Sequence, residues 1–306
     1  MKNKVTIIGA GMVGSTLAYS LVTQDIAEEI ALVDINKKLV KAQVMDLQHA
    51  VPFTRQTKVK VGSYQDCKNS SVVAITCGAS QKPGETRLDL IEKNTKIIKE
   101  IIPKIFKVNP NAIILMITNP VDVLTYIAIS MFPKKAHQIM GTGTTLDSAR
   151  FRHLISQKLN INPQSIHAYI MGEHGDSEFP VWSSASIGNT NLNTYKNFSK
   201  KDRQDIFDQA KNAAYAIIEG KQATYYGIGS AGAYVIQAIL HDKRMVLPVS
   251  HLIKNVYGVK DVCLSTPAVI GRSGIIGELS LELSKEEQVL FIHSSKILKK
   301  AIGSVS

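Results

Sequence analysis

Cysteine is scarce in this sequence, and its distribution excludes two kinds of cysteine-based structure. The 306 residues contain three cysteines, Cys67, Cys77 and Cys263, which lie far apart and form no Cys-x-x-Cys pair. A disulfide framework needs paired cysteines, and the common zinc sites need closely spaced ligands. We therefore expect neither a disulfide framework nor a metal site, and we predict that the three side chains are small buried apolar groups.

The sequence also lacks a long apolar run of the kind that crosses a membrane. The best candidate, residues 123–132, is short and is interrupted by Thr125 and Ser130, whereas a spanning helix needs about 20 apolar residues. The first four residues lead straight into a strand-like segment, which leaves no place for a signal peptide. We expect no membrane span and a cytoplasmic location.

Acidic residues are fewer than basic ones, 25 against 36, so that the formal net charge is +11. The basic residues are scattered along the chain among acidic ones, and no nucleic-acid recognition motif accompanies them. This pattern argues against a nucleic-acid partner. Two interpretations stay open: a solvated basic surface, or a positive potential that steers small anions towards a site.

A glycine-rich motif near the N-terminus is the most informative feature that is present. Gly9-Ala10-Gly11-Met12-Val13-Gly14 follows the apolar run 5–8, and Asp34 closes a second apolar run twenty residues after Gly14. A strand, turn and helix of this kind direct backbone N–H groups and a helix dipole at a pyrophosphate, while the carboxylate binds a ribose and repels a 2′-phosphate. The motif predicts NAD rather than NADP. A glycine turn that only packs a helix on a sheet is the weaker interpretation.

Apolar runs and helix-like stretches alternate in the first half of the chain. Strand-like runs recur at 5–8, 30–33, 72–76 and 113–117, and apolar residues at helical spacing fill 91–106, before the break at Asn109-Pro110-Asn111. Such alternation predicts parallel βαβ units. The predicted fold class is α/β, with an N-terminal doubly wound parallel-sheet (Rossmann) domain over residues 1–141.

The pattern changes after about Gly141. Longer helical segments at 146–159, 201–219 and 230–240 are mixed with strand-like segments at 256–264 and 267–270, and a terminal helix is predicted at 285–302. A chain of this length favours two lobes. We predict a mixed α/β substrate domain over residues 142–306.

Two short segments of the second half carry residues suited to chemistry. Gly172-Glu173-His174-Gly175-Asp176 sets a histidine between glycines, and histidine is the side chain best matched to proton transfer near neutral pH. Asp147 and Arg150 lie three residues apart, so they share one face of a predicted helix. They supply a carboxylate to orient an imidazole and a guanidinium to hold an acid. A lone histidine of this kind is more often structural.

With these motifs the chain resembles the L-lactate and malate dehydrogenase family, and within it the bacterial L-lactate dehydrogenases. The resemblance covers essentially the whole sequence. It rests on five blocks in the family's order: Gly9 to Gly14, Gln81-Lys82-Pro83-Gly84-Glu85-Thr86-Arg87, Thr118-Asn119-Pro120-Val121-Asp122, Leu146-Asp147-Ser148-Ala149-Arg150-Phe151-Arg152, and Gly172 to Asp176.

The resemblance implies a role for each chemical group. His174 would give a proton to the substrate carbonyl oxygen as hydride arrives from NADH, and Asp147 would hold its imidazole. Arg150 would bind the substrate carboxylate, Arg87 would polarise the carbonyl, and Asn119 could hydrogen-bond near the same oxygen. For either arginine, taken alone, a solvated surface charge is the alternative. The implied NAD-binding positions are Gly9, Gly11, Met12, Val13, Gly14, Asp34, Tyr64, Gly78, Ala79, Thr118, Asn119 and Thr142.

The stretch 78–88 has the composition of a loop, and in this family the loop closes over the substrate. Malate dehydrogenases carry an arginine at the position of Gln81, where it pairs with a second carboxylate. A neutral glutamine leaves such a charge unpaired, so the resemblance implies pyruvate as the substrate, with Thr224 lining the methyl pocket. The rival activities are malate dehydrogenase, another 2-hydroxy-acid dehydrogenase, or a dinucleotide-binding protein without turnover.

Arg152 and His167 form a second candidate site. At matching positions, many bacterial lactate dehydrogenases bind fructose 1,6-bisphosphate between facing subunits. The resemblance implies this effector and a homotetramer, while ordinary interface or surface residues are the alternative.

Overall fold

The computed structural model describes residues 3–79 and 87–305, with Arg87 described in its backbone only. The helices of this part of the chain are α1 Met12–Thr23, α2 Lys37–Ala50, α3 Arg87–Val108, α4 Val121–Met131, α5 Thr145–Leu159, α6 Lys200–Lys221, α7 Tyr226–Leu240 and α8 Lys285–Gly303. The strands are β1 Lys4–Ile8, β2 Glu29–Val33, β3 Lys58–Val61, β4 Val72–Ile75, β5 Ile113–Met116, β6 Ile139–Gly141, β7 Ile166–His167, β8 Ile170–Met171, β9 Phe179–Pro180, β10 Ser186–Ile187, β11 Thr190–Asn191, β12 Met245–Ile253, β13 Val262–Gly271 and β14 Gly274–Glu278.

One large sheet organises these elements, in the order β14-β13-β12-β6-β5-β4-β1-β2-β3. The strands from β3 to β6 pair in parallel, and the chain order reverses between β1 and β4. In a doubly wound sheet, ligands bind beyond the carboxyl ends of the strands at this switch point. The predicted fold class is confirmed.

The sheet does not stop at residue 141. Ser250 of β12 pairs antiparallel with Gly141 of β6, and β13 and β14 extend the sheet further. The strand order therefore joins the two halves of the chain, and the division at 141/142 stays a prediction.

Apolar side chains on both faces of the sheet explain its burial. The strand residues of β1, β4 and β5 are almost all buried, as expected for parallel strands covered on two sides. Leu17 of α1 and Ile236 of α7 belong to the core on one face, and Ile102 of α3 and Leu124 of α4 belong to the core on the other. A third core packs α8 against β13, and a fourth lies beneath α5 and α6.

Two glycines of α7 allow this helix to approach α1 closely. A Cβ at Gly229 would lie 2.7 Å from Thr16 Cγ2, and one at Gly232 would lie 3.2 Å from Leu17 Cδ1. Both distances are shorter than ordinary van der Waals contact. The contact fixes a helix from the second half of the chain against the nucleotide motif.

Several sequence predictions need correction. The predicted strand 256–264 is wrong for most of its length, because Tyr257 and Asp261 have positive φ angles in the turn that precedes β13. Strands β3, β6 and β12 were not predicted; β12 contains Pro248, a residue that usually argues against a strand. Arg87 and Leu88 begin α3 and are not part of a loop.

Two simpler expectations concern burial and membrane spans. Cys67 and Cys263 are buried free thiols, as predicted, whereas Cys77 is half-buried. Among the described helices, none is both long and apolar enough to cross a bilayer.

Candidate active site

The glycine motif forms a tight turn between β1 and α1. Gly9 has a φ of 109°, and a Cβ there would lie 2.5 Å from Cys77 N; a Cβ at Gly14 would lie 1.9 Å from Gly9 O. Neither position can hold a side chain without movement of the backbone. At Gly11 there is open space, and no side chain caps the N-terminus of α1, which begins at Met12. Uncapped N–H groups beside open space fit a pyrophosphate.

Asp34 lies at the carboxyl end of β2, beside this turn. Its Oδ2 accepts a hydrogen bond from Ala10 N at 2.7 Å, and its Oδ1 accepts one from Asn36 N at 2.8 Å. The carboxylate is half-buried, and its orientation is fixed from two sides. A fixed negative charge at this point fits a ribose and disfavours a 2′-phosphate.

The other predicted cofactor positions follow the carboxyl ends of neighbouring parallel strands. Tyr64 comes after β3, Gly78 and Ala79 after β4, Thr118 and Asn119 after β5, and Thr142 after β6. Thr118 and Thr142 are buried, whereas Asn119 is exposed. In the motif, Met12 is exposed and Val13 packs against the core. The fold brings the predicted positions to one edge of the sheet, where their contacts with NAD stay predictions.

Asn94 of α3 is a buried residue whose role was not predicted from the sequence. Its Oδ1 accepts a hydrogen bond from Ala79 N, and its Nδ2 donates one to Asn119 O, each at 2.8 Å. A polar residue within the apolar stripe of a predicted helix was the signal that could have found it. Asn94 connects α3 to two backbone segments of the predicted site.

The predicted catalytic residues of the second half meet in one hydrogen-bonded group. Asp147 Oδ2 lies 2.7 Å from His174 Nδ1, and Asp147 Oδ1 accepts a hydrogen bond from Arg150 Nη1 at 2.8 Å. The Asp147 side chain is 3% exposed, against 25% for His174 and 16% for Arg150. The carboxylate is therefore buried beneath two groups that keep access to solvent.

The electrostatic setting of His174 favours its protonated form. Burial alone would lower the pKa of this imidazole, but the Asp147 carboxylate and its hydrogen bond raise the pKa to about 9. Burial opposes ionisation of Asp147 as well, yet the attraction of His174 and Arg150 lowers the pKa of Asp147 below its usual value. Near neutral pH the pair is an imidazolium beside a carboxylate, and the imidazolium can act as a proton donor.

The backbone around His174 is held from three directions. Gly172, with a φ of 94°, forms an isolated bridge with Ser265 of β13. Ser294 Oγ of α8 accepts a hydrogen bond from Glu173 N at 2.7 Å, and Asp122 Oδ2 of α4 accepts one from His174 N at 2.8 Å. Burial raises the pKa of the Asp122 carboxyl to about 6. Asp122 is a second residue whose contact was not predicted from the sequence, although it ends the motif Thr118-Asn119-Pro120-Val121-Asp122.

Comparison with known proteins identifies the family. Residues 3–141 match the family described as lactate/malate dehydrogenase, NAD binding domain, and residues 144–306 match lactate/malate dehydrogenase, alpha/beta C-terminal domain. The chain belongs to the lactate/malate dehydrogenase family. As a member whose N-terminal half is an NAD-binding domain, it uses NAD as its cofactor, and the Gly11 opening and Asp34 fit that group.

Relatives resemble this family member along their whole length. L-lactate dehydrogenase 2 of Bacillus anthracis and L-lactate dehydrogenase 1 of Bacillus cereus are each 47% identical over 308 residues, which cover 99% of this chain and 98% of the relative. Among solved structures, the minor L-lactate dehydrogenase from Enterococcus mundtii in a ligands-bound form has a TM-score of 0.97 at 36% identity, covering 100% of this chain and 99% of the other.

The remaining predicted residues of this dehydrogenase are described only by their element and burial, or lie partly or wholly outside the described residues. Thr224 is half-buried between α6 and α7. Arg152 is half-buried on α5, and His167 is exposed on β7. Gln81 lies outside the described residues, and for Arg87 only the backbone at the start of α3 is described.

Proposed function

We propose that this chain is an NAD-dependent L-lactate dehydrogenase, which reduces pyruvate to (S)-lactate with NADH and catalyses the reverse reaction. The observation that carries the proposal is the group formed by His174, Asp147 and Arg150. In one partly exposed site, it combines a proton donor with the carboxylate that holds this donor. It also provides a guanidinium that can bind the carboxylate of a substrate. The names of the Bacillus relatives support the same activity.

Bound NADH supplies the hydride, and the chain supplies the proton and the charge balance. The imidazolium of His174 donates its proton to the carbonyl oxygen, which would otherwise carry a negative charge. Asp147 stabilises the charged ring and fixes its tautomer through Nδ1, so that Nε2 is the atom that exchanges the proton. In lactate oxidation the neutral ring accepts the hydroxyl proton.

Arg150 binds the substrate carboxylate in this proposal. Its described hydrogen bond to Asp147 uses Nη1 only, and a guanidinium has further donors in a planar fork. Arg87 would stabilise charge on the carbonyl oxygen, and Asn119 would donate a hydrogen bond close by. Thr224 would line the pocket for the methyl group of pyruvate.

Parallel measurement of NADH consumption with pyruvate and with oxaloacetate tests the substrate assignment. We expect a strong preference for pyruvate. A preference for oxaloacetate would make the protein a malate dehydrogenase with the same acid–base group. No turnover with either substrate would favour a dinucleotide-binding protein without catalysis.

The Gln81→Arg variant tests the basis of that preference. An added guanidinium would pair with the second carboxylate of oxaloacetate. We therefore expect the ratio of kcat/KM for oxaloacetate to kcat/KM for pyruvate to rise at least roughly tenfold, which corresponds to about 1.4 kcal/mol. The purified wild type is assayed under the same conditions. An unchanged ratio would contradict the assignment of Gln81 as the selector.

Fructose 1,6-bisphosphate is the proposed activator, bound by Arg152 and His167 of facing subunits in a homotetramer. Both side chains suit a phosphate, and α5 and β7, which carry them, pack in the same core. Rate against pyruvate concentration, with and without the bisphosphate, tests this part. A lower apparent KM with the effector is expected in the wild type and not in Arg152→Gln; superimposable wild-type curves would remove the regulatory claim.

Exposed apolar side chains support self-association. Phe53 is 90% exposed and Tyr226 67% exposed, and both line a cavity of about 450 Å³ between α1 and α2, together with Tyr19. Large exposed apolar groups beside a cavity are usual at subunit contacts. The proposed setting is the cytoplasm, where reduction of pyruvate in fermentation would restore the NAD consumed by glycolysis.

A further inference from the structure

A third carboxyl group lies beside the His174–Asp147 pair. Glu178 is 7% exposed, and its side-chain oxygen, an oxygen of Asp147 and a ring nitrogen of His174 all lie within 4.8 Å of one another. A turn fixes its backbone, since Glu178 N donates to Gly175 O at 3.1 Å, and β9 begins at the next residue.

The charges that face Glu178 come from several elements. Asp147 and Arg150 lie on α5, Lys211 on α6, and Asp122 of α4 faces His174. Burial raises the pKa of Glu178 to about 8, and the charge of Asp147 adds to this effect, whereas His174, Arg150 and Lys211 oppose it. Two buried carboxyl groups and one imidazole thus lie close together, and the ionisation of each group depends on the others.

The effect on His174 follows from the sign of these charges. An ionised Glu178 stabilises the imidazolium, as Asp147 does, and a neutral imidazole removes the cation that keeps Glu178 ionised. His174 and Glu178 therefore titrate as a pair. A neutral glutamine at this position would leave the imidazolium with less negative charge around it.

We propose that Glu178 is a positioning residue that strengthens the hold of His174 on its proton, and so sets the pH range of the dehydrogenase reaction. The inference rests on the proposed function for its kinetic meaning. It concerns a residue outside the group formed by His174, Asp147 and Arg150, and it acts through His174 without contact to substrate.

The variant Glu178→Gln tests the proposal, since it keeps the shape of the side chain and removes its charge. We expect the alkaline limb of kcat/KM for pyruvate reduction, and the acid limb of kcat/KM for lactate oxidation, to move to lower pH by about one unit. That shift is modest for a charge within ~5 Å at an effective dielectric constant near 20. Glu178→Asp, which keeps the carboxylate, is expected to restore much of the wild-type profile.

Glu287→Gln is the matched control. Glu287 is also 7% exposed, but it caps α8 through Ser284 and binds Ser183. Its substitution is expected to lower stability without moving either limb. Unmoved limbs in Glu178→Gln, or equal shifts in both variants, would overturn the proposal. If Glu178→Gln does not fold, Glu178→Met removes the same charge and is measured in its place.

A measurement without turnover separates this proposal from the proposed function. Diethylpyrocarbonate acylates neutral imidazole, so its rate of reaction at His174, followed by mass spectrometry across pH, titrates that residue directly. We expect the midpoint in Glu178→Gln to lie below that of the wild type, even if neither protein reduces pyruvate. Equal midpoints would overturn the role of Glu178 whatever the activity.

Discussion

Asp147 is the residue on which the site depends, because its two oxygens hold two different partners. Oδ2 holds His174, and Oδ1 holds Arg150. With the side chain 3% exposed, little water can replace either contact. A buried carboxylate between two cations is stabilised by both, and it raises the proton affinity of the histidine in return.

Substitution of Asp147 by Asn tests this dependence. The neutral amide cannot hold the imidazolium, so the pKa of His174 falls from the value of about 9 that Asp147 supports. Pyruvate reduction needs the protonated ring, which is present below that pKa and is lost above it. We expect kcat/KM at pH 7 to fall roughly 10- to 100-fold, the loss of a charge-assisted hydrogen bond of about 1.5–3 kcal/mol. The alkaline limb should also move to lower pH.

The pH profile with purified Asp147→Asn and wild type is the measurement. An alkaline limb at the wild-type position would contradict the account, even if the rate were lower.

The sequence was enough to propose Asp147, Arg150 and His174 as site residues. It was not enough to predict the residues that hold them in place. Asp147 and Arg150 are three residues apart on a helix, so their contact followed from helix geometry. The contact of Asp122 with His174 is made through a backbone N–H between residues 52 positions apart. No residue pattern records such a contact. Glu178 was missed for a similar reason, since the charged residues that act on it include Asp147 and Arg150 on α5 and Lys211 on α6.

At the scale of elements, α3 connects the nucleotide edge of the sheet to the predicted substrate loop. Asn94 lies in the N-terminal half of this helix and is 1% exposed. Its two hydrogen bonds hold Ala79, the last described residue before the loop, and Asn119, which follows β5. Movement of α3 would therefore be transmitted to both segments.

Asn94→Ala should weaken both stability and substrate use. It leaves Ala79 N and Asn119 O without this partner, and we expect the free energy of unfolding to fall by about 1–3 kcal/mol. We also expect a higher KM for pyruvate. Chemical denaturation and steady-state kinetics check the two effects.

Thr95→Val is the control for this substitution. Thr95 is the next residue, 3% exposed, and its hydroxyl oxygen has no hydrogen-bond partner among the described residues. Replacement by an apolar group of the same shape should cost nothing or stabilise. If the two variants lost equal stability, Asn94 would have no special role.

The strands show where element prediction from sequence fails. Strands β1 and β4 are buried on both faces, so each appears in the sequence as a short continuous apolar run, and both were predicted. β12 was missed although it pairs along its whole length with β13. Its Pro248 argues against a strand locally, and only the pairing with neighbours overrides that signal.

At the scale of the whole molecule, the continuous sheet joins both halves of the chain, and buried ionisable groups within it make stability depend on pH. His251 of β12 is 1% exposed, and its Nε2 lies 2.7 Å from Thr266 Oγ1 of β13. Burial lowers the pKa of His251 to about 4. The neutral form therefore belongs to the folded state.

This lowered pKa predicts loss of stability in acid. The unfolded chain binds a proton at His251 near pH 6.5, whereas the folded chain does so only near pH 4. The contribution of His251 is complete above pH 6.5 and is lost as the pH falls towards 4. Between pH 7 and pH 5 we expect the contribution of His251 to the free energy of unfolding to fall by about 2 kcal/mol.

Urea unfolding of wild type and His251→Gln at pH 7 and pH 5 measures this contribution. Glutamine keeps a hydrogen-bonding group for Thr266 and does not titrate. The variant should lose about 2 kcal/mol less than the wild type on acidification. Equal losses would show that His251 does not carry the effect.

The most direct test of the whole account is the His174→Asn variant, with NADH binding measured by fluorescence and pyruvate reduction measured in the same preparation. We assign the proton to His174, and cofactor binding to the glycine motif and Asp34. We therefore predict an NADH Kd within about twofold of wild type and a kcat lower by about 10²- to 10⁴-fold, the usual value of a positioned general acid. A variant that binds NADH normally and keeps most of the wild-type kcat would contradict it.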